Sequence, residues 1–264
     1  MKCLSKILPI VLAAVLALSA CKPAAPANHL EAIKAKGKMV VGTSADYPPF
    51  EYVDEAGKVV GFDIDLINEI GARLGAKVEV VDMPFDTLIA GVQEGKIDLS
   101  IAAFNYTEER DKVVDFTDAY YYAEDGFIVA ENFTGNITKP EDVANLKIGV
   151  QTGATADGWV VENLVDKGLT PTENVFRYER VDQGALDVQA GRIDVFITDY
   201  VPAEALVKKV EGLKIAYHAE VSTGPVLIIM PEGDVVLTAE INKIIADLLK
   251  EGFIDQLSVK HIGQ

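Results

Sequence analysis

The hydrophobic positions of the chain alternate between two periods from residue 30 onwards. Short apolar runs of strand length are followed by segments whose apolar residues recur at helical spacing, and most of those segments end at a glycine. The segment 63–74, followed by Gly75, has this helical spacing, whereas the segment 77–82 alternates as a strand does. Strands and helices that alternate in this way predict an α/β fold with largely parallel sheets.

The pattern predicts specific elements along the chain. Strands are expected over residues 38–43, 77–82, 97–102, 147–150, 175–178, 193–198 and 224–230. Helices are expected over residues 29–36, 63–74, 85–94, 154–167, 183–189, 201–210 and 237–252. Pro48 and Pro49 indicate a turn after the first strand, and a hairpin is expected around residues 52–60.

One short pattern occurs twice. Residues 92–99 read Val-Gln-Glu-Gly-Lys-Ile-Asp-Leu, and residues 188–195 read Val-Gln-Ala-Gly-Arg-Ile-Asp-Val. Each copy contains a helix end, a glycine suited to the helix C-cap, a basic residue and the start of a strand. Any helix-to-strand corner can look like this by chance, but the length of the match favours two lobes of similar construction.

The last predicted strand and the helices after it are too few to form a third core, so they are expected to return to the first lobe. The predicted organisation is a first lobe of residues 30–122 and 224–264 and a second lobe of residues 127–218. Two hinge strands, at 122–126 and 219–224, are expected to join the lobes.

Residues 1–20 have the pattern of an export signal. Basic residues precede an apolar run over 7–18, and Leu-Ser-Ala-Cys follows at 18–21. This ending resembles the lipobox of bacterial lipoproteins, in which the cysteine is acylated; the alternative is an ordinary signal peptide with a chance cysteine. We expect a lipoprotein signal peptide over 1–20, a membrane anchor through lipidated Cys21 and a tether over 21–29. The protein is then extracytoplasmic, in the periplasm or at the cell surface.

Charge and cysteine content narrow the possible partners. Loss of Lys2 and Lys6 with the signal peptide takes the formal net charge from −17 to −19. So acidic a chain is not expected to bind nucleic acid or an anionic membrane surface. Cys21 is the only cysteine left after processing, which excludes a disulfide within the chain and a thiol nucleophile. The three histidines are scattered, so neither a catalytic triad nor a metal cluster is indicated, and no cofactor is expected.

Three groups of polar residues follow predicted strands, which is where open α/β sheets bind ligands. Arg110 comes after the strand 97–102, and its guanidinium is suited to hold a carboxylate; the alternative is a surface salt bridge with a neighbouring glutamate. Gly153 and Thr155 open a helix whose free N–H groups suit an anion, although Thr155 also fits a plain N-cap. Asp199 ends the strand 193–198, where it is placed either to hold an ammonium group or to cap the next helix.

A set of short motifs, in this order and spacing, resembles the bacterial extracellular solute-binding proteins of family 3, which serve polar amino-acid ABC importers. The resemblance extends over about residues 30–260. It rests on Gly42-Thr43, Tyr47-Pro48-Pro49-Phe50-Glu51, Gly61-Phe62-Asp63-Ile64-Asp65-Leu66, Thr107-Glu108-Glu109-Arg110, Asp115-Phe116-Thr117, Gly149-Val150-Gln151-Thr152-Gly153-Ala154-Thr155, Ala190-Gly191-Arg192-Ile193-Asp194 and Asp199. It implies a periplasmic-binding-protein type II fold, in which two α/β lobes close on a ligand.

The resemblance also implies roles for individual residues. Arg110 and Thr155 would bind the α-carboxylate of an amino acid, Asp199 would bind its α-amino group, and Tyr47 and Phe85 would line the side-chain pocket. One departure from the family pattern concerns the ligand: Asn105 stands where the family usually has serine or threonine.

Three further residues, Ala103, Asp46 and Glu51, complete the expected site. Backbone groups of Ala103 and Asn105 are expected to donate or accept hydrogen bonds. Asp46 and Glu51 lie next to the Tyr-Pro-Pro-Phe turn and are candidates to read a cationic or amide side chain. Two solvated charges in an acidic protein are the alternative for this pair.

The implied function is that of a monomeric binding protein that delivers an amino acid to a membrane permease. An enzyme on the same scaffold, similar to cyclohexadienyl dehydratases, is one alternative. Those enzymes have a glutamate three residues after the cleft aspartate, whereas this chain has Pro202 there, so catalysis is not expected. The other alternative is a ligand sensor that acts through a separate partner.

Overall fold

The computed structural model describes residues 27–263. The predicted signal peptide, Cys21 and most of the predicted tether therefore lie outside the described residues. Among residues 27–263, no helix has the length and apolar character needed to cross a membrane. Within this range strands and helices alternate along the chain, as the sequence pattern predicts.

The first half of the chain contains a dense run of elements. These are α1 His29–Lys36, β1 Lys38–Thr43, β2 Asp46–Tyr47, β3 Glu51–Val53, β4 Val59–Val60, α2 Phe62–Leu74, β5 Lys77–Asp82, α3 Leu88–Gln93, β6 Leu99–Asn105, α4 Glu108–Asp111, β7 Val114–Phe116, β8 Tyr121–Tyr122 and β9 Asp125–Ala130.

The remaining elements complete the alternation. These are β10 Ile148–Gln151, α5 Thr155–Val160, β11 Val175–Tyr178, α6 Val181–Gln189, β12 Val195–Asp199, α7 Tyr200–Lys209, β13 Leu213–Ala219, β14 Pro225–Pro231, α8 Val235–Lys250 and α9 Phe253–His261. A turn of 3₁₀ helix, Phe85–Thr87, precedes α3, and a π-helical segment, Val161–Val165, continues α5.

Two mixed sheets form the framework. The six-stranded sheet has the order β5–β1–β6–β14–β7, with β8 paired to β14. The five-stranded sheet has the order β11–β10–β12–β9–β13. In each sheet the strand next to one edge, β1 or β10, runs parallel to both of its neighbours. The small third sheet, β2–β3–β4, contains the predicted hairpin.

Antiparallel strands make the sheets less parallel than the sequence pattern indicates. Strand β14 is antiparallel to β6 and β7, and β9 is antiparallel to β12 and β13. Neither β9 nor β13 is among the predicted strands. Strand β13 carries an irregularity between Ile215 and Tyr217, which breaks the alternation that identifies a strand in a sequence.

The repeated sequence pattern marks the same corner in both sheets. Asp98 accepts a hydrogen bond from the backbone N–H of Val40 at 2.6 Å, at the start of β1. Asp194, its counterpart in the second copy, accepts one from Lys147 at 2.8 Å, just before β10. The glycines of the two corners, Gly95 and Gly191, both have positive φ. The aspartate of each copy therefore joins a helix-to-strand corner to the neighbouring strand, β1 or β10.

The last strand and helices pack on the six-stranded sheet. Strand β14 lies between β6 and β7, and α8 contacts both α1 and α2. The buried side of α8 is formed by Leu237, Ile241, Ile244, Ile245 and Leu248. These positions have the helical spacing of an amphipathic helix, so the sequence period and the buried face agree.

Two crossovers connect the sheets, and one carboxylate joins them. Asp125, which is 1% exposed, begins β9. Its Oδ2 accepts hydrogen bonds from the backbone N–H groups of Val221, Ser222 and Thr223 at 3.0, 2.8 and 3.2 Å. The hydroxyl of Thr223 also donates to Oδ2, and the hydroxyl of Ser222 donates to Oδ1. A single side chain of the first crossover thus holds the second crossover beside it.

His29 attaches the first helix to the body of the protein. Its Nε2 lies 2.9 Å from an oxygen of Asp98, and its Nδ1 lies 2.8 Å from an oxygen of Asp234. Both partners are carboxylates, so both ring nitrogens can donate to them only when the ring is protonated. The hydrogen bond to Asp98 is the largest cause that raises the pKa of His29, and burial opposes it.

This raised pKa predicts a pH-dependent contribution to stability. A histidine whose pKa is higher in the folded state stabilises the fold fully below its unfolded pKa of about 6.5, and the contribution is lost as pH rises through the folded pKa. Between pH 6 and pH 9 the urea midpoint of the wild type should therefore fall further than that of His29→Gln. Equal falls in the two proteins would contradict the ion-pair role of His29.

Candidate ligand-binding site

The candidate residues from the sequence surround one cavity between the two sheets. It lies at the carboxyl ends of β1, β6, β10 and β12, where open α/β sheets bind ligands. Its lining consists of Ser44, Asp46, Tyr47, Glu51, Phe85, Ala102, Ala103, Asn105, Arg110, Gln151, Ala154, Thr155 and Asp199. Gly153 is the one candidate that lines the adjoining groove instead. The sequence analysis missed Ser44, which follows β1, and Gln151, which ends β10.

The cavity is small, and a larger groove lies beside it. The cavity volume is about 20 Å³, which is room for about one water molecule. The adjoining groove has a volume of about 850 Å³ and shares Phe85, Arg110 and Thr155 with the cavity. An amino acid therefore fits among the convergent polar groups only if the two sides of the cavity move apart.

Arg110 lies in the wall between the cavity and the groove. It is 8% exposed, in the short helix α4 that Thr107 caps through the Arg110 N–H at 3.1 Å. Its Nη1 donates to the carbonyl of Asn105 at 2.7 Å, and its Nη2 donates across the cleft to the carbonyl of Gly153 at 2.9 Å. The guanidinium therefore bonds to two carbonyls and not to the glutamates beside it in the sequence.

Aromatic rings and burial define the surroundings of this cation. The guanidinium carbon of Arg110 lies 5.5 Å from the Phe85 ring centroid and 5.3 Å from that of Phe104. The two rings stack on each other at 4.7 Å. Burial lowers the pKa of Arg110 to about 10, so the side chain stays charged at neutral pH. A buried cation held by neutral carbonyls is well suited to bind an anion.

Asp199 provides the complementary group. It is the last residue of β12 and is 8% exposed. It occupies the N-cap position of α7, but its side chain does not cap the helix. Its Oδ2 is buried without a hydrogen-bond partner in the described part of the chain. Burial, followed by repulsion from Asp125, raises the pKa of Asp199 to about 8.

Tyr47, in the small third sheet, contacts the five-stranded sheet next to Asp199. Its hydroxyl lies 2.8 Å from Thr198 Oγ1 and accepts a hydrogen bond from the backbone N–H of Asp199 at 3.0 Å. Its ring stacks near Phe50, which is fully buried in the core. Tyr47 therefore belongs both to the cavity lining and to the contact between the sheets.

The carboxyl end of β6 offers fewer free backbone N–H and C=O groups than the sequence indicates. Ala103 has φ 46°, which is uncommon for a residue other than glycine, and its N–H donates to Asp63 at 2.9 Å. The carbonyl of Asn105 accepts from Arg110. The side-chain Nδ2 of Asn105, by contrast, is buried without a partner among residues 27–263. The unusual asparagine therefore supplies a donor that a ligand can use.

The two acidic candidates near the turn are both buried rather than solvated. Glu51 is 1% exposed, and burial together with the nearby Asp63 raises its pKa well above the usual range, which favours the neutral form. Asp63 accepts from the Tyr120 hydroxyl at 2.9 Å. Both oxygens of Asp46 are bonded: Oδ1 accepts from Ser44 at 2.9 Å, and Oδ2 accepts from the N–H of Val181 at 2.7 Å.

Thr155 and Gly153 lie where β10 leads into α5. Gly153 has φ 75°, and a Cβ at this position would lie 3.3 Å from that of Asp86 across the cleft. Thr155 is the first residue of α5, and its hydroxyl lies 3.5 Å from that of Ser222 in the second crossover. The helix is shorter than predicted because it changes to π-helical geometry after Val160.

Comparison with known proteins places these observations in a family. Residues 39–264 match the bacterial extracellular solute-binding proteins, family 3. The chain belongs to this family. The resemblance seen in the sequence motifs is thereby confirmed, and so is the α/β fold of the type II periplasmic binding proteins.

Individual relatives agree with this assignment. The arginine-binding extracellular protein ArtP of Bacillus subtilis (strain 168) is 31% identical over 231 residues, which cover 85% of this chain and 86% of that protein. The structure of an ancestral arginine-binding protein bound to arginine has a TM-score of 0.79 and 37% identity, and the alignment covers 85% of this chain and 98% of that chain. The family is thus one of amino-acid-binding proteins.

One solved structure relates to the enzymatic alternative. The ancestral amino acid-binding protein AncCDT-1, described as a precursor of cyclohexadienyl dehydratase, has a TM-score of 0.79 and 30% identity. The alignment covers 88% of this chain and 99% of that chain. This relative is itself named as a binding protein.

The raised pKa of Asp199 is testable without a ligand. In a carboxyl-carbon NMR titration we expect one aspartate signal to titrate near pH 8 and to be absent from Asp199→Asn. Added ammonium-bearing ligand should lower this pKa, because an adjacent cation favours the ionised carboxylate. A titration of Asp199 near pH 4 would contradict the buried, partnerless environment.

Proposed function

We propose that the chain is the amino-acid-binding component of an ABC importer and that it delivers its ligand to the permease. One observation carries the proposal: a buried guanidinium, Arg110, and a buried carboxyl oxygen without a partner, on Asp199, line the same cavity. A free α-amino acid carries the complementary pair, a carboxylate and an ammonium group on one carbon. Binding satisfies both protein groups at once.

Six of the lining residues have a role in contacting the ligand. Arg110 exchanges carbonyl partners for the α-carboxylate, and the hydroxyl of Thr155 adds a donor to it. Asp199 accepts from the α-ammonium group, and the free Nδ2 of Asn105 donates to the carboxylate. Tyr47 and Phe85 enclose the ligand side chain.

The side chain of the ligand meets polar but largely uncharged groups. Burial and the nearby Asp63 raise the pKa of Glu51, which favours its neutral form, and Asp46 already has a partner on each oxygen. This pocket favours hydrogen bonds to a polar side chain over a bare ion pair. Because one relative is named for arginine, arginine is the first ligand to test, with glutamine as its uncharged counterpart of polar character.

The proposed movement is the closure of two lobes. Residues 30–122 and 224–264 form the lobe built on the six-stranded sheet, and residues 127–218 form the other lobe. The crossovers near 122–126 and 219–224 act as the hinge, where Asp125 keeps them together. Opening gives the ligand access to a cavity that is otherwise too small, and closing encloses the ligand. The site is formed by one chain, so the proposed receptor acts as a monomer.

Catalysis is not part of the proposal. The position three residues after Asp199 is occupied by Pro202, a buried residue of α7 that has no proton to transfer. Arg110 and Asp199 are complementary to the charges of a ground-state amino acid. The arrangement therefore favours tight, reversible binding.

The carboxylate role of Arg110 predicts a large loss of affinity. Because charge-assisted hydrogen bonds to a buried carboxylate contribute about 1.5–3 kcal/mol each, Arg110→Ala should raise the dissociation constant by about 100-fold or more. Calorimetric titration of refolded residues 22–264 with a panel of amino acids measures this. Arg73→Ala is a matched control, since Arg73 pairs with Glu69 and Glu251 far from the cavity.

The panel also tests the proposed function itself. Tight binding of an amino acid, with a smaller radius of gyration in solution scattering, supports a closing receptor. An unchanged affinity in Arg110→Ala would refute the carboxylate assignment. Failure of every amino acid to bind the wild type would refute the proposed ligand class.

The proposed lipid anchor predicts a different behaviour for the two cysteines. Expressed from the full sequence in bacteria, the protein should incorporate labelled palmitate and fractionate with membranes. Cys21→Ala should abolish both, whereas Cys3→Ala, within the signal peptide, should leave both unchanged. Membrane fractionation and labelling that persist in Cys21→Ala would contradict lipidation at this residue.

A further inference from the structure

Helix α6 begins with an N–H group that is capped from the opposite side of the cleft. The residue at its N-cap position, Arg180, provides no side-chain cap. Asp46, the first residue of β2, accepts the hydrogen bond of the Val181 N–H at 2.7 Å instead. Val181 is fully buried, and Asp46 is 8% exposed. The first amide of a second-lobe helix thus depends on a first-lobe carboxylate.

Further contacts surround this bond. Arg180 donates from Nη2 to the carbonyl of Ala45 at 2.9 Å, and the N–H of Ala45 donates to Asp82 at 2.8 Å. Ser44 donates to the second oxygen of Asp46. We call residues 44–46 with Arg180 and Val181 the clasp. Two consecutive residues of one lobe, Arg180 and Val181, thus bond to two consecutive residues of the other, Ala45 and Asp46.

Three other helices in the described part of the chain have a side-chain cap, and each of these caps is local. Asn28 caps α1, Thr107 caps α4 and Asp234 caps α8, each from the residue directly before the helix. Those bonds persist whether or not the lobes separate. The cap of α6 exists only while the lobes are together, because its donor and its acceptor belong to different lobes.

This arrangement links helix capping to closure. When the lobes separate, the Val181 N–H turns to water while Asp46 keeps only its local partner, Ser44. When they close, the cap is restored, so the closed form is stabilised by an interaction that does not involve the ligand. Arg180 contributes a positive charge to the same contact, which offsets the burial of the Asp46 carboxylate.

We propose that Asp46 is a positioning residue that sets the fraction of closed protein by capping α6 across the cleft. It acts on affinity through closure and does not select the ligand side chain. This inference rests on the proposed function, since it concerns the closing step of that binding cycle. Its consequence is that every ligand gains equally from Asp46.

The decisive comparison is between Asp46→Ala and Asp46→Asn. Alanine removes the cap, and the expected rise in the dissociation constant is about 5- to 30-fold, the same for each amino acid that binds, with faster dissociation. Asparagine keeps a side-chain oxygen that can cap, so its affinity should stay within about threefold of the wild type. A loss confined to cationic ligands, and equally large in Asp46→Asn, would overturn the proposal in favour of a side-chain selector.

A second measurement tests the clasp without reference to the ligand. In amide hydrogen exchange, the Val181 N–H should exchange about fivefold faster or more in Asp46→Ala than in the wild type. The Leu237 N–H, which Asp234 caps within one lobe, is the matched internal control and should not change. Unchanged exchange at Val181 would overturn the clasp. If no amino acid bound the wild type, only the proposed function would fail, because this exchange result stands alone.

Discussion

The site depends on one buried cation that has no charged partner at hydrogen-bond distance among the described residues. Arg110 is enclosed by two phenyl rings, and its hydrogen bonds go to carbonyl oxygens from both sides of the cleft. Neutral acceptors solvate a guanidinium but do not neutralise it, so the fold keeps a strong demand for an anion at this point. The short α4, the Thr107 cap and the end of β6 all serve to fix its position.

At the other end of the cavity, the buried carboxyl of Asp199 is suited to a cation, as Arg110 is suited to an anion. Asp199 is held against Tyr47 and is repelled by Asp125, which in turn fastens the two crossovers. The crossovers and this end of the cavity are therefore coupled through two carboxylates. The carboxyl of Asp199 ionises most easily when a cation is adjacent, so the proposed ammonium-bearing ligand would itself change the charge of the cavity.

The local elements were predictable, and the cross-sheet contacts were not. The bounds of β1, β5 and β11 and of α1 agree with the sequence pattern, because period and capping glycines are local signals. Strands β9 and β13 escaped prediction because one was interpreted as a crossover and the other is irregular. The motifs brought the cavity residues together, but whether Asp46 faces a ligand or a helix amide depends on a partner that is 135 positions away.

His29 also determines which end of the molecule the N-terminal segment leaves from. The chain enters β1 at Lys38, beside the Asp98 corner, and reaches the cleft only at Thr43, roughly 17 Å away at the usual rise of a strand. A tether of the kind expected before residue 29 would therefore pull on the end of the sheet opposite the cleft. Its tension would pass through His29 to the Asp98 corner and to the start of α8, away from the mouth of the cleft.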